Sequence, residues 1–257
     1  MMKIVSAYRL VTTIVATLAI TAALVVTTGT AAAAAPCDYP AQKLDLTNWK
    51  VTLPTGSPGS PTEVKQPVLA TYAVNPWFQV NHSCQGVQFR APVNGVTTSG
   101  SSYSRSELRE MTDNGTRQAA WSAIVGTHTL TFRLAFNRLP NGKPHAVGAQ
   151  IHDGDDDVTT FRLQGSNLYL TKGNDSDYKL IASGYQLHTV FEGKFVVSGG
   201  QIRAYYNGAL QATIGHTGPS NYFKAGAYTL ANCGNSSPCS SSNYGQVSMY
   251  KLLITHS

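Results

Sequence analysis

The chain has 257 residues, with 19 lysines and arginines, 13 aspartates and glutamates, and a formal net charge of +6. A single all-β sandwich domain commonly has this length, and a chain of this size is long enough to bury a core of its own. The mild basic excess is compatible with a polyanionic partner but does not identify one, and we predict no nucleic-acid partner.

Residues 1–35 have the features of a secretory signal peptide. Two basic residues, Lys3 and Arg9, precede an apolar stretch that ends at Val26, and an alanine run follows it. A basic start, an apolar centre and small residues at the exit are typical of exported proteins. Threonines dilute the apolar stretch, which argues against a retained membrane anchor. We therefore predict a secreted, extracellular protein with one mature domain, residues 36–257, and no membrane contact after cleavage.

Four cysteines lie in the predicted mature domain, namely Cys37, Cys84, Cys233 and Cys239. An exported protein meets an oxidising environment, so we predict two disulfides. Four cysteines allow three pairings. The short loop from Cys233 to Cys239 favours local closure, which leaves Cys37 to pair with Cys84. No two of them have the close spacing of a metal finger, and we predict no metal site.

Short alternating segments recur after residue 35, whereas a sustained helical period is almost absent. We predict strands in segments 129–136, 161–163, 167–170, 195–197, 201–206 and 246–250. Turn signals separate them, and Asn207-Gly208 is the strongest hairpin signal, because it joins segment 201–206 to segment 209–214. Many short strands at such intervals predict an all-β, antiparallel sandwich or jelly roll in one domain.

Three further segments carry polar groups at every second position: Arg105–Arg109, Gln150–His152 and Tyr222–Tyr228. Successive strand residues point to opposite faces of a sheet. One face would therefore carry the side chains of Arg105, Glu107, Arg109, Gln150, His152, Tyr222, Lys224 and Tyr228. Taken singly, each segment has an ordinary structural explanation. The first could be a solvated ion-pair ladder, the second a hydrogen-bonded buried pair, and the third tyrosines that pack at the edge of the core. Taken together, they predict a shared polar floor.

This set of side chains is suited to β-elimination at a 4-linked uronate. The C5 proton is weakly acidic because the adjacent carboxylate is negative, so Arg105 would neutralise it, with Gln150 and His152 as further donors. We expect Arg105 and Lys224 to lower the pKa of Tyr228, which could then act as both base and acid when C5–H and O4 leave from one face. When they leave from opposite faces, His152 is the natural base and Tyr228 the acid. The sequence leaves both possibilities open.

The three segments, in this order and at this spacing, resemble the signature blocks of alginate lyases of polysaccharide lyase family 7. Leu44–Pro54 resembles the first strand of the same family, so the resemblance covers nearly all of residues 37–257. It implies a concanavalin-like β-jelly roll of two antiparallel sheets, with the cleft on the concave sheet. It also implies endolytic cleavage of alginate to 4,5-unsaturated oligosaccharides without a cofactor. We expect a monomer, which is the default for a secreted depolymerase.

By position, the resemblance assigns catalysis to Arg105, Gln150, His152 and Tyr228. It assigns substrate contact or support of Arg105 to Glu107, Arg109, Lys224 and Tyr222. In the family, an isoleucine at position 151 accompanies acceptance of polyguluronate, so we predict that preference. Strand alternation points Ile151 away from the cleft, so its effect would be indirect.

The acidic run Asp153–Asp157 invites comparison with a calcium loop. Val158 replaces the turn glycine and Gln164 replaces the closing glutamate of that template, so we predict a solvated turn instead. The remaining histidines have no ligand-like spacing, and we predict structural or surface roles for His82, His128, His145, His188, His216 and His256.

Two rival functions remain. A carbohydrate-binding module would need aromatic platforms, which Trp49, Trp77 and Trp121 could provide. A glycoside hydrolase needs two carboxylates across the scissile bond, but alternation sends Glu107 and Glu110 to opposite faces. No Gly-x-Ser-x-Gly nucleophile motif occurs in the sequence. We rank the lyase first, the binding module second and the hydrolase third.

Overall fold

The structure is a computed structural model that describes residues 1–2 and 37–257. Apart from Met1 and Met2, the predicted signal peptide of residues 1–35 lies outside the described residues. No helix in the described part of the chain has the length and hydrophobicity that a membrane span requires.

Residues 37–257 contain two short 3-10 helices, Pro40–Gln42 and Val68–Thr71, and strands in two sheets whose strand pairs are all antiparallel. The floor sheet has, in spatial order, β11 (Asp175–Ala182), β10 (Asn167–Lys172), β9 (Asp157–Gln164), β8 (His145–His152), β15 (Tyr222–Thr229), β5 (Arg105–Thr112), β1 (Trp49–Ser57) and β2 (Ser60–Val64), with β6 (Arg117–Gln118) paired to β5. The back sheet has β14 (Ala209–Gly215), β13 (Gln201–Tyr206), β12 (Phe191–Ser198), β7 (Thr127–Arg138), β16 (Tyr244–His256), β4 (Val87–Pro92) and β3 (Phe78–Val80).

Apolar side chains from both sheets fill the space between them. Along β12, buried residues alternate with half-buried ones, as expected for a strand with one face on a core. Phe195 on β12 and Phe132 on β7 both pack against Phe161 of the floor sheet, with ring centroids 5.1 Å apart in each pair. Aromatic pairs of this kind add about 0.5–1.5 kcal/mol beyond their buried area. The predicted all-β sandwich is confirmed.

The predicted hairpin at Asn207-Gly208 joins β13 to β14. Both turn residues have positive φ, 47° and 83°, as a type I′ turn requires. The edge strand β11 was not predicted, because most of its residues are exposed and no buried face imposes a regular alternation.

Both predicted disulfides are present, Cys37 with Cys84 and Cys233 with Cys239. The first ties the segment before β1 to the loop that precedes β4. The second closes a small loop between β15 and β16, a short distance along the chain from Tyr228. No cysteine among the described residues is free.

Candidate active site

Strands β5, β15 and β8 lie side by side in the floor sheet, with β15 in the middle. Their register places Arg109, Lys224 and Gln150 opposite one another in one row. A second row contains Arg105 and Tyr228. Side chains that are directly opposite point to the same face. The three segments therefore form one polar floor, and its side chains line a cavity of about 380 Å³.

An irregularity in β8 shifts this register beside Tyr228. Counting from Lys224, an unbroken register would place Ala146 opposite Tyr228, but the structure places Val147 there. On β15, Gly226 lies beside this irregularity with a φ of 145°, and an added Cβ atom would lie 2.6 Å from a backbone carbonyl oxygen of β5.

Along β8, alternation breaks between Val147 and Ala149, where the register with β9 shifts as well. A Cβ atom on Gly148 would lie 2.9 Å from Leu134 in the core, so Gly148 faces the core as Ala149 does. Val147 therefore turns toward the cleft, which simple alternation along β8 did not predict.

Glu107 lies beneath the floor, with a side chain that is 1% exposed. Its carboxylate accepts hydrogen bonds from Gln150 Nε2 at 2.5 Å and Lys224 Nζ at 2.8 Å, and it pairs with Arg105 Nη1 at 3.3 Å. Burial alone would raise the pKa of Glu107, but the positive charges of Lys224 and Arg105 outweigh it and hold this pKa below its usual value. Of its two expected roles, Glu107 is placed to support Arg105 rather than to contact substrate.

Lys224 is the most deeply buried cation of the floor. Burial lowers its pKa to about 8, although the neighbouring Glu107 carboxylate acts in the opposite direction. The cluster of Arg105, Lys224 and Glu107 therefore carries one net positive charge below pH 8, directed at the cavity. A uronate carboxylate is the substrate group that this charge would attract.

His152 has one nitrogen committed to the backbone. Its Nδ1 lies 2.7 Å from the carbonyl oxygen of Asp153 and 3.0 Å from the Tyr222 hydroxyl. A carbonyl oxygen only accepts hydrogen bonds, so Nδ1 carries the proton and Nε2 keeps its lone pair in the neutral ring. Burial, and then the charge of Lys224, lower the pKa of His152. At neutral pH, His152 is therefore an uncharged base that lines the cavity.

Tyr228 is a proton donor in the resting site. The Arg105 guanidinium lies 4.1 Å from the centroid of its ring, and Ser101 Oγ lies 2.9 Å from its hydroxyl. The sequence-based expectation of a lowered pKa is wrong. Burial raises the pKa of Tyr228 and outweighs the opposite effect of Arg105. The reason is geometric, since Arg105 covers the ring face and Lys224 is paired with Glu107.

Arg109 and Tyr222 form the far part of the floor. The Arg109 guanidinium lies 4.0 Å from the centroid of the Tyr222 ring and donates hydrogen bonds to the carbonyl oxygens of Glu110 and Ala119 at 2.6 Å and 3.2 Å. The Tyr222 ring in turn stacks on His152, with centroids 5.1 Å apart. Arg109 and Tyr222 therefore hold His152 in place and also line the cavity.

Comparison with known proteins agrees with this arrangement. A sequence model of the family described as alginate lyase matches residues 44–256. The chain belongs to this family. Among solved structures, it is similar to the alginate lyase from Corynebacterium sp., with 72% identity and a TM-score of 0.85, over 86% of this chain and 100% of that one.

Two further alginate lyases extend the comparison. AlgAT5, of polysaccharide lyase family 7, is 43% identical with a TM-score of 0.80, over 85% of this chain and 99% of that one. An alginate lyase of Klebsiella pneumoniae is 33% identical over 88 residues, which is 33% of this chain and only 29% of that protein. The predicted membership of polysaccharide lyase family 7 and the jelly-roll fold are confirmed, and the chain is a polysaccharide lyase.

Several cleft residues of this alginate lyase family member carry no sequence pattern that predicts their position. Ser101 lies in a loop with no periodic signal, and Arg162 alternates with buried neighbours on β9 as any surface residue would. The predicted solvated turn is only partly correct. Asp153 does accept the N–H groups of Asp155 and Asp156, but Asp157 begins β9, is half-buried and lines the cavity.

The residues that the sequence suggested for the two rival functions are not placed to serve them. Trp49 and Trp121 are buried, and Trp77 packs against the core, so these tryptophans do not form an exposed platform for a carbohydrate-binding module. Glu107 and Glu110 are both buried and face opposite sides of the floor sheet. They are therefore not a pair of carboxylates across a glycosidic bond.

Proposed function

We propose that this chain is a secreted, monomeric, endolytic alginate lyase that prefers guluronate and releases 4,5-unsaturated oligosaccharides. The observation that carries the proposal is the pairing of an uncharged His152 with a protonated Tyr228 in one cleft. Arg105 lies beside Tyr228, where it can neutralise a uronate carboxylate.

The reaction follows from these protonation states. Arg105 and Gln150 bind the uronate carboxylate, which lowers the cost of placing negative charge on it. Nε2 of His152 takes the C5 proton, and the C5–H electrons form the C4–C5 double bond. The C4–O4 bond breaks, and the Tyr228 hydroxyl gives its proton to O4. The chain end that leaves carries a hydroxyl, and the other carries the unsaturated uronate.

A preference for guluronate is supported by the presence of two separate groups, His152 as the base and Tyr228 as the acid. Guluronate and mannuronate are C5 epimers, so C5–H and O4 lie on opposite faces of the ring in guluronate and on the same face in mannuronate. A neutral His152 and a protonated Tyr228 suit removal from opposite faces. Same-face elimination by Tyr228 alone would need a phenolate, which the raised pKa of Tyr228 disfavours.

Endolytic action is supported by space on both sides of Tyr228. The main cavity contains Arg105 and His152, and a second cavity beyond Tyr228 is lined by Val147, Thr160 and Arg162. A polymer that extends past the reacting bond in both directions has room in such a cleft. Secretion is supported by the predicted leader of residues 1–35 and by two disulfides, which persist in oxidising compartments.

The test is the ultraviolet absorbance of the conjugated double bond, followed with polyguluronate, polymannuronate and a neutral β-glucan. We expect the fastest rise with polyguluronate and none with the glucan. Endolytic cleavage predicts that viscosity falls early, before short products accumulate. Binding of alginate with no rise in absorbance would instead identify a carbohydrate-binding module.

A further inference from the structure

A second arginine lies in the same row of the floor sheet as Arg105. In this row, Arg105 is opposite Tyr228, Tyr228 is opposite Val147, and Val147 is opposite Arg162. Neighbouring strands lie about 4.8 Å apart, so three strand steps separate the two arginines by roughly 14 Å. The break in the alternation of β8 between Val147 and Ala149 creates this row, because it brings Val147, and not Ala146, level with Tyr228.

Arg162 has unused hydrogen-bonding capacity. Its Nη2 lies 3.0 Å from Nδ1 of His145, whose pKa is lowered by burial and by Arg162 itself, so the neutral imidazole accepts this hydrogen bond. Within residues 37–257, no carboxylate lies within ion-pair distance of Arg162. Its Nε is buried and has no hydrogen-bond partner. Arg162 also lines a cavity of about 150 Å³ that adjoins Tyr228.

One acidic residue borders this cavity. Asp157 is opposite His152 in the register of β8 and β9, and it lines both the main cavity and the cavity at Arg162. A polyuronate that crosses Tyr228 from one cavity to the other must pass this carboxyl group. An ionised carboxylate would repel the substrate, whereas an uncharged one would not.

We propose that Arg162 binds the carboxylate of a second uronate residue beyond Tyr228, and that Asp157 weakens this binding when it is ionised. The proposal rests on the proposed function, since it takes a polyuronate as the occupant. In this proposal, the charge of Arg162 holds the polymer on the side of the reacting bond that lies away from Arg105. A planar guanidinium is suited to this task because it offers paired donors to a carboxylate.

The protonation state of Asp157 gives the proposal a pH signature. Burial and the neighbouring Asp156 raise the pKa of Asp157 to about 6. The carboxyl group is therefore mostly neutral at pH 5 and ionised at pH 7.5. The charged or titratable groups that face Asp157 are His152 on β8, Lys224 and Tyr228 on β15, Arg162 on β9, and Asp156 in the turn.

The test measures binding of a guluronate hexamer by calorimetry in a Tyr228→Phe parent, which removes turnover. At pH 7.5, we expect Arg162→Gln to weaken binding about tenfold, the effect of losing a charged hydrogen bond. Arg133→Gln is the matched control, because Arg133 is exposed on the back sheet and its loss changes the net charge equally. Binding by Arg162→Gln that equals binding by the control would overturn the proposal.

Asp157→Asn in the same parent should act in the opposite direction. We expect it to tighten binding on the order of threefold at pH 7.5, through loss of a repulsive charge, and to have no effect at pH 5. His152 also titrates in this range, but it is present in both proteins and its effect cancels in their ratio. Equal affinities at pH 7.5 would refute the role of Asp157.

The failure of this proposal can be distinguished from failure of the proposed function. If the wild type produces unsaturated ends and the parent binds the hexamer, the function stands whatever the Arg162 variant does. If the parent binds neither the hexamer nor alginate and the wild type gives no absorbance change, the function and this inference fail together. Thermal melting of each variant separates loss of binding from loss of fold.

Discussion

Glu107 and Glu110 lie three residues apart on β5 and face opposite sides of the floor sheet, and both are almost completely buried. Glu107 lies among two cations and an amide that belong to the cleft. Glu110 points into the interior, where its Oε2 accepts hydrogen bonds from Trp121 Nε1 at 3.0 Å and the Phe223 amide at 2.8 Å. The same residue type therefore holds together the charged floor of the cleft on one face and joins strands on the other.

The carboxylate of Glu110 also contacts a pair of histidines in the interior. Glu110 Oε1 lies 2.7 Å from His256 Nε2, and His256 Nδ1 lies 2.7 Å from His128 Nδ1. His128 Nε2 in turn lies 2.8 Å from the carbonyl oxygen of Val125. The chain of contacts links β5, β15, β7 and β16. This comparison shows that partners, rather than burial, decide what a buried carboxylate does.

Of the two carboxylates, Glu107 should have the larger effect on activity when its charge is removed. Glu107→Gln leaves Arg105 and Lys224 buried without their counter-charge and replaces one of the two acceptor oxygens, which serve Gln150, Lys224 and Arg105, with an amide donor. We expect kcat/KM to fall by about 10³, comparable to losing about 4 kcal/mol of oxyanion stabilisation. Steady-state absorbance assays measure this loss. Glu192→Gln is the control, since Glu192 forms an exposed pair with Lys251 at 3.2 Å on the back sheet. Equal activity in the two variants would contradict the account.

The interior carboxylate should matter for stability instead. Glu110→Gln leaves an amide where Trp121, Phe223 and His256 all present donors. We expect the free energy of unfolding to fall by about 3 kcal/mol, as for a broken buried pair. Denaturant unfolding measures this loss, while kcat should change far less than in Glu107→Gln. A loss of kcat as large as that of Glu107→Gln, in a protein that remains folded, would remove the distinction between the two faces.

A smaller effect concerns the pH dependence of activity. The pKa of His152 is lowered below its ordinary value of 6.5, so activity should rise with pH through that lower pKa and be complete by neutral pH. The pKa of Lys224 is about 8, so activity should fall as pH rises through 8 and the cluster with Glu107 loses its positive charge. Lys224→Arg should move this alkaline fall upward, because arginine stays protonated. Profiles of kcat/KM measure both limbs, and an alkaline limb that Lys224→Arg does not move would refute the assignment.

Sequence patterns predicted the faces of the three central strands well, because alternation alone places Arg105, Gln150 and Lys224 toward the cleft. They failed where the pattern breaks. The irregularity at Gly148 in β8 turns Val147 to the cleft and aligns Arg162 with Arg105, and a period of two contains no sign of it. Bulges are local exceptions that only the pairing partner reveals.

The other failures concern burial and long-range contacts. The raised pKa of Tyr228 depends on how little water reaches it, which residue identities do not record. The contact between His128 and His256 joins residues 128 positions apart, on neighbouring strands that were not predicted to pair. The sequence therefore predicted the chemical inventory of the site but not its protonation states.

The most direct test of the central claim is the initial rate of double-bond formation on polyguluronate by His152→Asn at pH 7.5, relative to wild type. Asparagine keeps a donor for the Asp153 carbonyl but has no basic nitrogen. If His152 takes the C5 proton, the rate should fall by about 10²–10⁴, the usual contribution of a general base, while the fold persists. A rate within a few fold of wild type would show that another group is the base, and would contradict the division of roles between His152 and Tyr228.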